Sequence, residues 1–276
     1  MPSMTETSPL IRVSSLAGWT DCPRRSAART FRDRLEADGY VLRDRANIVS
    51  ASVGTGLHAG VAHALREKIE ERVAKLARMV EISIETYRAD TAEGVDYDST
   101  TDSANTAERQ LGAMNQSYYA DVLPVVEPVT VETRMEARTA AGFTVSGQPD
   151  MLDAAAAVHD LKSGKAGDTY QAQLGGYLLL AKANGQPAPV DAVIDWVPRS
   201  RLSKPQPVAV SYRYPAAMCE AEAKAVLNQI THQWTDYKAK QDPAAFPCNP
   251  MSMLCGPKYC AAYGSEWCVV SKTFTD

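Results

Sequence analysis

The sequence predicts an α/β fold in which helices flank a central mixed β-sheet, and three observations lead to this class. Apolar residues recur at helical spacing through much of residues 10–125, and they alternate with polar residues within 126–215. A long amphipathic stretch and a cysteine-rich tail follow in 216–276. Because helices and strands in this order bury their apolar faces against each other, we expect a single domain over residues 1–276. The 45% apolar content is sufficient for a sizeable core.

The first part of the chain contains three predicted helices. The first has Ser14 or Ser15 as its candidate N-cap, and the second follows a Gly54-Thr55-Gly56 turn with its apolar residues on one face. A polar stretch rich in Asp, Thr and Ser precedes the third helix. The predicted helices span residues 14–34, 57–76 and 106–122, with a loop over 89–105.

Alternating apolar residues mark the strands of the middle part. Ala140-Ala141-Gly142 and residues 153–156 supply two turns, so the first three strands are expected to form a meander. The four prolines of the tail exclude a continuous helix there. The predicted strands are 129–135, 143–151, 158–162, 190–197 and 208–214, and the helices are 170–184, ending at Gly185, and 216–240.

Charge and hydropathy indicate which kinds of molecule the protein can bind. The net charge of -4 argues mildly against a polyanion, but a local excess of arginine between residues 11 and 34 provides one basic patch. The chain has no run of eighteen apolar residues, and residues 1–9 lack the layout of a signal peptide. We therefore expect a cytoplasmic protein with no membrane partner.

The clearest chemical signal is a pair of carboxylates with a lysine. Asp160 and Lys162 stand two apart on one predicted strand and share a sheet face, and Asp150 ends the preceding strand. Two facing carboxylates repel unless a cation lies between them, so Mg²⁺ or Mn²⁺ is the expected ligand. A lysine there can orient or deprotonate a water or stabilise charge on a phosphate. The alternative is a surface hairpin with a weak ion pair.

The order of further residues resembles a known family. Gly147 with Asp150, then Asp160-Leu161-Lys162, then Gln173-Leu174-Gly175-Gly176-Tyr177, is similar to the RecB-like branch of the PD-(D/E)XK nucleases. That branch includes the AddB nuclease domain, CRISPR-adaptation nucleases and many phage exonucleases. The resemblance implies a restriction-endonuclease-like core.

The same resemblance implies roles for single residues. The metal-binding positions are His58, Asp150, Asp160 and Leu161, while Lys162 assists the attacking water. Gln173 and Tyr177, four apart on one helical face, would hold DNA near the scissile phosphate. The glutamate that the family carries upstream falls on Glu132 or Glu136, and Glu132 is preferred for its position.

Six cysteines are present, and Cys248, Cys255, Cys260 and Cys268 crowd the last thirty residues. Without a secretion signal, disulfides explain them poorly, whereas zinc or an iron–sulfur cluster suits thiols at this density. Free thiols in a reducing cell are the alternative. Cys219, within a predicted helix, is expected to be a buried apolar residue.

One branch of the family places a single N-terminal cysteine with three C-terminal ones around a [4Fe-4S] cluster. Cys22, followed by Pro23 and a basic residue, resembles that first ligand, and Cys255, Cys260 and Cys268 would be the others. The spacing in the tail is wider than is usual for the family, so Cys248 competes with Cys255. Such a cluster would join the two ends of the chain, and Zn²⁺ is the alternative occupant.

The expected function is metal-dependent hydrolysis of DNA, by family analogy as an exonuclease in recombination, repair or phage DNA processing. The setting would be a bacterial or phage-infected cell. The alternative is a non-catalytic DNA-binding subunit of a recombination or CRISPR-adaptation complex. No helicase motor or phosphate-binding glycine loop is evident, so unwinding would need a helicase or recombinase partner. The oligomeric state stays open.

Overall fold

The computed structural model describes residues 9–164, 170–186 and 190–269. Within them the chain forms eight helices and eight strands, together with short 3₁₀ turns. The helices are α1 Leu16–Asp21, α2 Pro23–Thr30, α3 Arg32–Ala37, α4 Val49–Ile69, α5 Leu76–Asp90, α6 Ala104–Asp121, α7 Gln171–Ala183 and α8 Ala216–Lys240. The strands are β1 Leu10–Arg12, β2 Pro128–Val131, β3 Met135–Arg138, β4 Thr144–Gly147, β5 Met151–Asp153, β6 Val158–Lys162, β7 Asp191–Trp196 and β8 Val210–Pro215.

The strands form two sheets. The larger has the order β2-β5-β6-β7-β8, in which β6 and β7 are parallel and the other neighbours antiparallel. The smaller has the order β1-β4-β3, with β1 parallel to β4. The prediction of a mixed sheet flanked by helices is therefore confirmed. None of the described helices combines the length and apolar character that crossing a membrane requires.

The predicted meander is divided between the two sheets. Residues 129–135 do not form one strand, because Glu132 has a φ of 48° that no extended strand accommodates. The returning strand breaks opposite, at residues 148–150, and the Glu132 N–H donates to the Asp150 carbonyl oxygen at 3.1 Å. The break places Asp150 at the corner where the hairpin passes from one sheet to the other.

The N-terminal helical prediction is wrong in its continuity. Cys22 is extended, with φ -145° and ψ 96°, because the residue before a proline is disfavoured in a helix. A second break follows at Phe31, so residues 14–34 contain helices α1 and α2 and the start of α3. Strand β1, which precedes them, was not predicted.

The second helix also differs from its prediction. It begins at Val49, so Gly56 lies within α4 rather than in a turn before it. A Cβ atom on Gly56 would lie 2.6 Å from the Ser83 carbonyl oxygen, which shows that this glycine serves the close packing of α4 against α5. The helix ends at Ile69, and Glu71 has a left-handed φ of 55° before α5 starts. The predicted helices over 106–122, 170–184 and 216–240 are confirmed as α6, α7 and α8.

Two hydrophobic cores lie on opposite faces of the larger sheet. One contains Val158 and Ile194 with residues of α1, α2, α7, α8 and the tail. The other contains Leu161 and Val197 with residues of α4, α5 and α6. Since side chains alternate along β6, Asp160 and Lys162 share the face of Val158 and point toward α7.

Candidate active site

One cleft collects most of the residues that the sequence singled out. Its volume is about 260 Å³, and it lies where α4, α7 and the break between β4 and β5 meet. Six predicted site residues line it: His58, Asp150, Asp160, Lys162, Gln173 and Tyr177. The structure therefore brings together side chains that are up to 119 positions apart, from 58 to 177, in the chain.

Close packing of α7 against β4 sets the position of Tyr177. A Cβ atom on Gly147 would lie 3.0 Å from the Tyr177 ring and 2.9 Å from the Leu180 side chain. Only glycine lets the helix approach β4 this closely without displacement. Because Gln173 stands one helical turn before Tyr177, the same contact directs both side chains into the cleft.

Asp150 is held by contacts from two elements. One carboxylate oxygen lies 2.7 Å from Nδ1 of His58, and the other accepts the Leu161 N–H at 2.6 Å. Burial opposes ionisation, but the His58 ring, the Leu161 N–H and the nearby Lys162 outweigh it and hold the pKa of Asp150 below its usual range. Burial likewise opposes the charge on His58, yet Asp150 and then Asp160 raise its pKa.

Asp160 is almost fully buried, with 3% of its surface exposed. Its Oδ1 accepts a hydrogen bond from Gln173 Nε2 at 2.8 Å, and Gln173 also donates to the Tyr177 hydroxyl at 3.2 Å. Lys162 Nζ lies 2.5 Å from the buried Oδ2 and forms an ion pair with it. Burial, helped by the charge of Asp150, raises the pKa of Asp160 against the opposing effect of Lys162.

Lys162 is one of the cations that line the cleft, with Arg12 and Arg134. Burial opposes its charge, but Asp160 and then Asp150 raise the pKa of its ammonium group. The ammonium nitrogen also lies 5.6 Å from the centre of the Tyr170 ring, within range of a cation–π contact. Lys162 is therefore charged at neutral pH in this arrangement.

Two predicted residues do not present side chains to the cleft. Glu132 turns to α4 instead, where its carboxylate binds the Arg66 guanidinium at 2.5 Å. The left-handed backbone at Glu132 is the reason, since it rotates the side chain away from the strand's regular direction. The Leu161 side chain is buried in the core beside α4 to α6, so this residue can offer a metal only its carbonyl oxygen.

The donor set of the cleft fits a hard divalent cation. Carboxylate oxygens and a histidine nitrogen suit Mg²⁺ or Mn²⁺, and the buried Oδ2 of Asp160 already lies against a cationic group, the Lys162 ammonium. In the structure each carboxylate is paired with a basic side chain: His58 contacts Asp150, and Lys162 contacts Asp160. Accordingly, no group of three His, Cys, Asp or Glu side chains in the described residues is arranged to hold a metal ion.

A second cavity is lined by cysteines. Cys22, from the start of α2, faces Cys248, Cys255, Cys260 and Cys268 from the tail, and the Asn249 N–H donates to the Cys22 sulfur at 3.4 Å. Burial raises the pKa of the Cys260 thiol to about 11, and neighbouring cysteines add to this effect. The structure thus brings the start of α2 and the tail together at this point, while all six cysteines are free of disulfides.

Sequence reasoning missed several residues that line the cleft. Arg12 is the last residue of the unpredicted strand β1 and Ser14 follows it, while Ser146 lies on β4 of the smaller sheet and Arg134 directly precedes β3. Arg12 is the register partner of Ser146, whose hydroxyl accepts a hydrogen bond from Arg134 at 3.0 Å. The only signal in the sequence was the local excess of arginine, which does not reveal this pairing.

A mixed α/β fold with two carboxylates and a lysine meeting in one cleft defines a class of phosphodiester-cleaving enzymes. The model of the PD-(D/E)XK nuclease superfamily matches residues 12–268, and the chain belongs to this superfamily. No curated protein matches the sequence.

Solved structures were compared with the fold. A candidate exonuclease from Eubacterium rectale aligns over 92% of both chains with a TM-score of 0.54 and 11% identity, which shows a shared fold. An alkaline exonuclease from Laribacter hongkongensis aligns over 66% of this chain and 93% of its own, with a TM-score of 0.30 and 14% identity. The second alignment is too weak to carry an argument.

Proposed function

We propose that the protein is a metal-dependent DNA nuclease of the RecB-like branch, acting as an exonuclease in recombination, repair or phage DNA processing. The observation that carries this proposal is the meeting of Asp150, Asp160 and Lys162 in one cleft. Asp160 is buried in this cleft with a raised pKa and with Lys162 beside it, and such groups cluster at functional sites.

His58, Asp150 and Asp160, with the Leu161 carbonyl oxygen, would hold Mg²⁺ or Mn²⁺. When bound, such a cation supplies Lewis-acid activation of a phosphoryl oxygen and lowers the pKa of water. Gln173 fixes Oδ1 of Asp160, while Oδ2 contacts the Lys162 ammonium group.

The chain's own residues would position and neutralise the phosphate. Lys162, held as a cation by the two carboxylates, is suited to stabilising negative charge on the phosphate rather than to removing a proton from water. Tyr177 accepts a hydrogen bond from Gln173, which leaves its hydroxyl hydrogen free to donate to a phosphate oxygen.

For the cysteine-lined cavity we propose a [4Fe-4S] cluster held by Cys22, Cys255, Cys260 and Cys268. Convergent thiols and an N–H donated to the Cys22 sulfur support ligation. An iron–sulfur cluster or Zn²⁺ held there would stabilise the tail, and its binding would release the proton of the Cys260 thiol. Iron, sulfide and zinc content of anaerobically purified protein separates the two occupants.

The experiment on the cleft compares Asp160→Ala with Asp191→Ala. Asp191 is a partly exposed carboxylate on the adjacent strand, with only a 3.5 Å ion pair to Arg213, and serves as the matched control. We expect Mn²⁺-dependent cleavage of labelled DNA to be lost in Asp160→Ala and kept in Asp191→Ala. Equal cleavage by both variants would contradict the proposal, and a native protein that binds DNA without cleaving it would favour the non-catalytic subunit.

A second substrate separates the modes of cleavage. An exonuclease requires a free end, so DNA with both ends blocked should resist the native protein while the same DNA with free ends is degraded. Cleavage of both substrates at similar rates would show an endonuclease.

A further inference from the structure

Three arginines near the cleft lack a carboxylate partner. They are Arg12 on β1, Arg29 on α2 and Arg45 in the segment between α3 and α4, and we name them the arginine cluster. All three are exposed to solvent. Within the described ranges of the chain, none of their side chains takes part in a hydrogen bond or an ion pair.

Several other arginines of the same region are paired. Arg25 binds Asp21 at 2.6 Å, and Arg32 binds Asp44 at 2.9 Å. The Arg24 Nε donates to a main-chain carbonyl at 2.9 Å. Asp44 is the immediate neighbour of Arg45 in the chain, yet its carboxylate contacts Arg32. The cluster therefore remains uncompensated although carboxylates stand close by in the sequence.

The segment that carries Arg45 lies close to the end of α2, because Arg32 at the start of α3 donates to the Leu42 and Arg43 carbonyl oxygens at 3.1 and 3.3 Å. Desolvation is the largest effect that lowers the pKa of Arg29, and the charges of Arg45, Arg12 and Arg25 follow in that order. Every electrostatic influence on this guanidinium comes from another arginine. Like charges that crowd in this way repel each other, and a bound anion would relieve the repulsion.

The cluster is continuous with the candidate active site. Arg12 lines the cleft that contains Asp150 and Asp160. It is paired in register with Ser146 across β1 and β4, and Arg134 donates to the Ser146 hydroxyl from the other side. Positive charge thus extends from the rim of the cleft outward along α2.

We propose that the arginine cluster binds the phosphodiester backbone of the DNA strand whose scissile phosphate occupies the cleft. Guanidinium groups bind phosphate oxygens in a bidentate manner, and a strand presents phosphates at regular intervals to several such groups. The cluster would fix the register of the strand and carry no base preference. This proposal rests on the proposed nuclease function, since it assigns DNA as the ligand.

The test measures DNA binding separately from cleavage. In an Asp160→Ala background, the affinity for labelled DNA is measured by fluorescence anisotropy at several salt concentrations, with and without Arg12→Gln, Arg29→Gln and Arg45→Gln together. Each lost phosphate contact flattens the dependence of log affinity on log salt by about 0.7 to 0.9. The triple variant should therefore flatten it by about 2 to 3, and bind DNA more weakly at low salt.

Arg109 provides the control. It is exposed on α6, whose buried residues belong to the core on the opposite face of the larger sheet, and it has no partner among the described residues. Single variants Arg29→Gln and Arg109→Gln are compared, and only the first should change the salt dependence, by about 0.7 to 0.9. Thermal unfolding of both shows that the fold is kept.

An unchanged salt dependence in the triple variant, or no measurable DNA binding by the Asp160→Ala parent, would overturn the proposal. The proposed function fails in a different way, through absence of cleavage by otherwise native protein. The two failures are therefore distinguishable.

Discussion

Gly175 on α7 is the position where a single methyl group has the largest predicted effect on the fold. A Cβ atom there would lie 1.9 Å from the Cys219 carbonyl oxygen and 2.4 Å from its carbon, both in the backbone of α8. Ordinary contact begins near 3.4 Å, so α7 and α8 would have to separate by 3.4 - 1.9 = 1.5 Å at this point. A backbone atom cannot rotate away as a flexible side chain can.

The free energy of unfolding should therefore fall in Gly175→Ala. Overpacking lowers the free energy of unfolding by about 1 to 3 kcal/mol or more. Replacing a helical glycine by alanine raises it by about 1 kcal/mol through helix propensity. We expect a net loss of about 2 kcal/mol, which lowers Tm by about 4 to 8 °C. Because α7 also carries Gln173 and Tyr177, DNA cleavage should decline with it.

Gly112 on α6 is the matched control, since nothing lies within 4 Å of a Cβ atom built there. Gly112→Ala should leave Tm unchanged or raise it through helix propensity alone. Urea and thermal unfolding of both variants check the prediction. A Gly175→Ala protein as stable as Gly112→Ala would refute the inferred close contact between α7 and α8.

Three further outcomes are expected. Glu132→Ala should change the rate of cleavage by no more than about twofold and lower the free energy of unfolding by less than ~1 kcal/mol, because its ion pair with Arg66 is at the surface. A loss of cleavage as large as that of Asp160→Ala would show that Glu132 belongs to the active site. His159 is buried with Nδ1 2.9 Å from Asp195; burial opposes its charge, but Asp195 and Asp153 outweigh burial and raise its pKa. The native protein should exceed His159→Gln in free energy of unfolding most at a pH below 6.5, the ordinary pKa of histidine, and the difference should shrink as pH rises through the raised pKa of His159. Urea unfolding measured at several pH values checks this. A difference that does not depend on pH would contradict it. Cys22→Ser should abolish the visible absorbance and the iron content of the protein, whereas the control variant Cys219→Ser, at a buried cysteine, should keep both. Iron retained in Cys22→Ser would exclude Cys22 as a ligand.

The periodicity of side chains within short segments predicted which residues of a strand or helix share one face. The alternation in β6 placed Asp160 and Lys162 on one face, and the spacing of Gln173 and Tyr177 placed both on one side of α7. The order of His58, Asp150 and these residues then indicated one site. Their convergence in the cleft was an expectation from the family resemblance, because these residues lie far apart in the chain.

Features that depend on distant pairing could not be predicted. Strand β1 exists because Arg12 and its neighbours pair with β4, more than 130 positions later, and this contact brings Arg12 to the cleft. The division of the meander depends on the backbone of Glu132, whose left-handed conformation has no glycine or asparagine to mark it in the sequence. Side-chain periodicity alone contains neither piece of information.

The most direct test of the account replaces both carboxylates by their isosteric amides, in the double variant Asp150→Asn and Asp160→Asn. The shape of the cleft is kept, while its negative charge is removed. Binding of Mn²⁺ by calorimetry and single-turnover cleavage of labelled DNA are measured on the same preparation. We predict loss of Mn²⁺ binding and a fall in cleavage of at least about 100-fold, with DNA binding retained. Cleavage at the native rate by this variant would contradict the assignment of the active site.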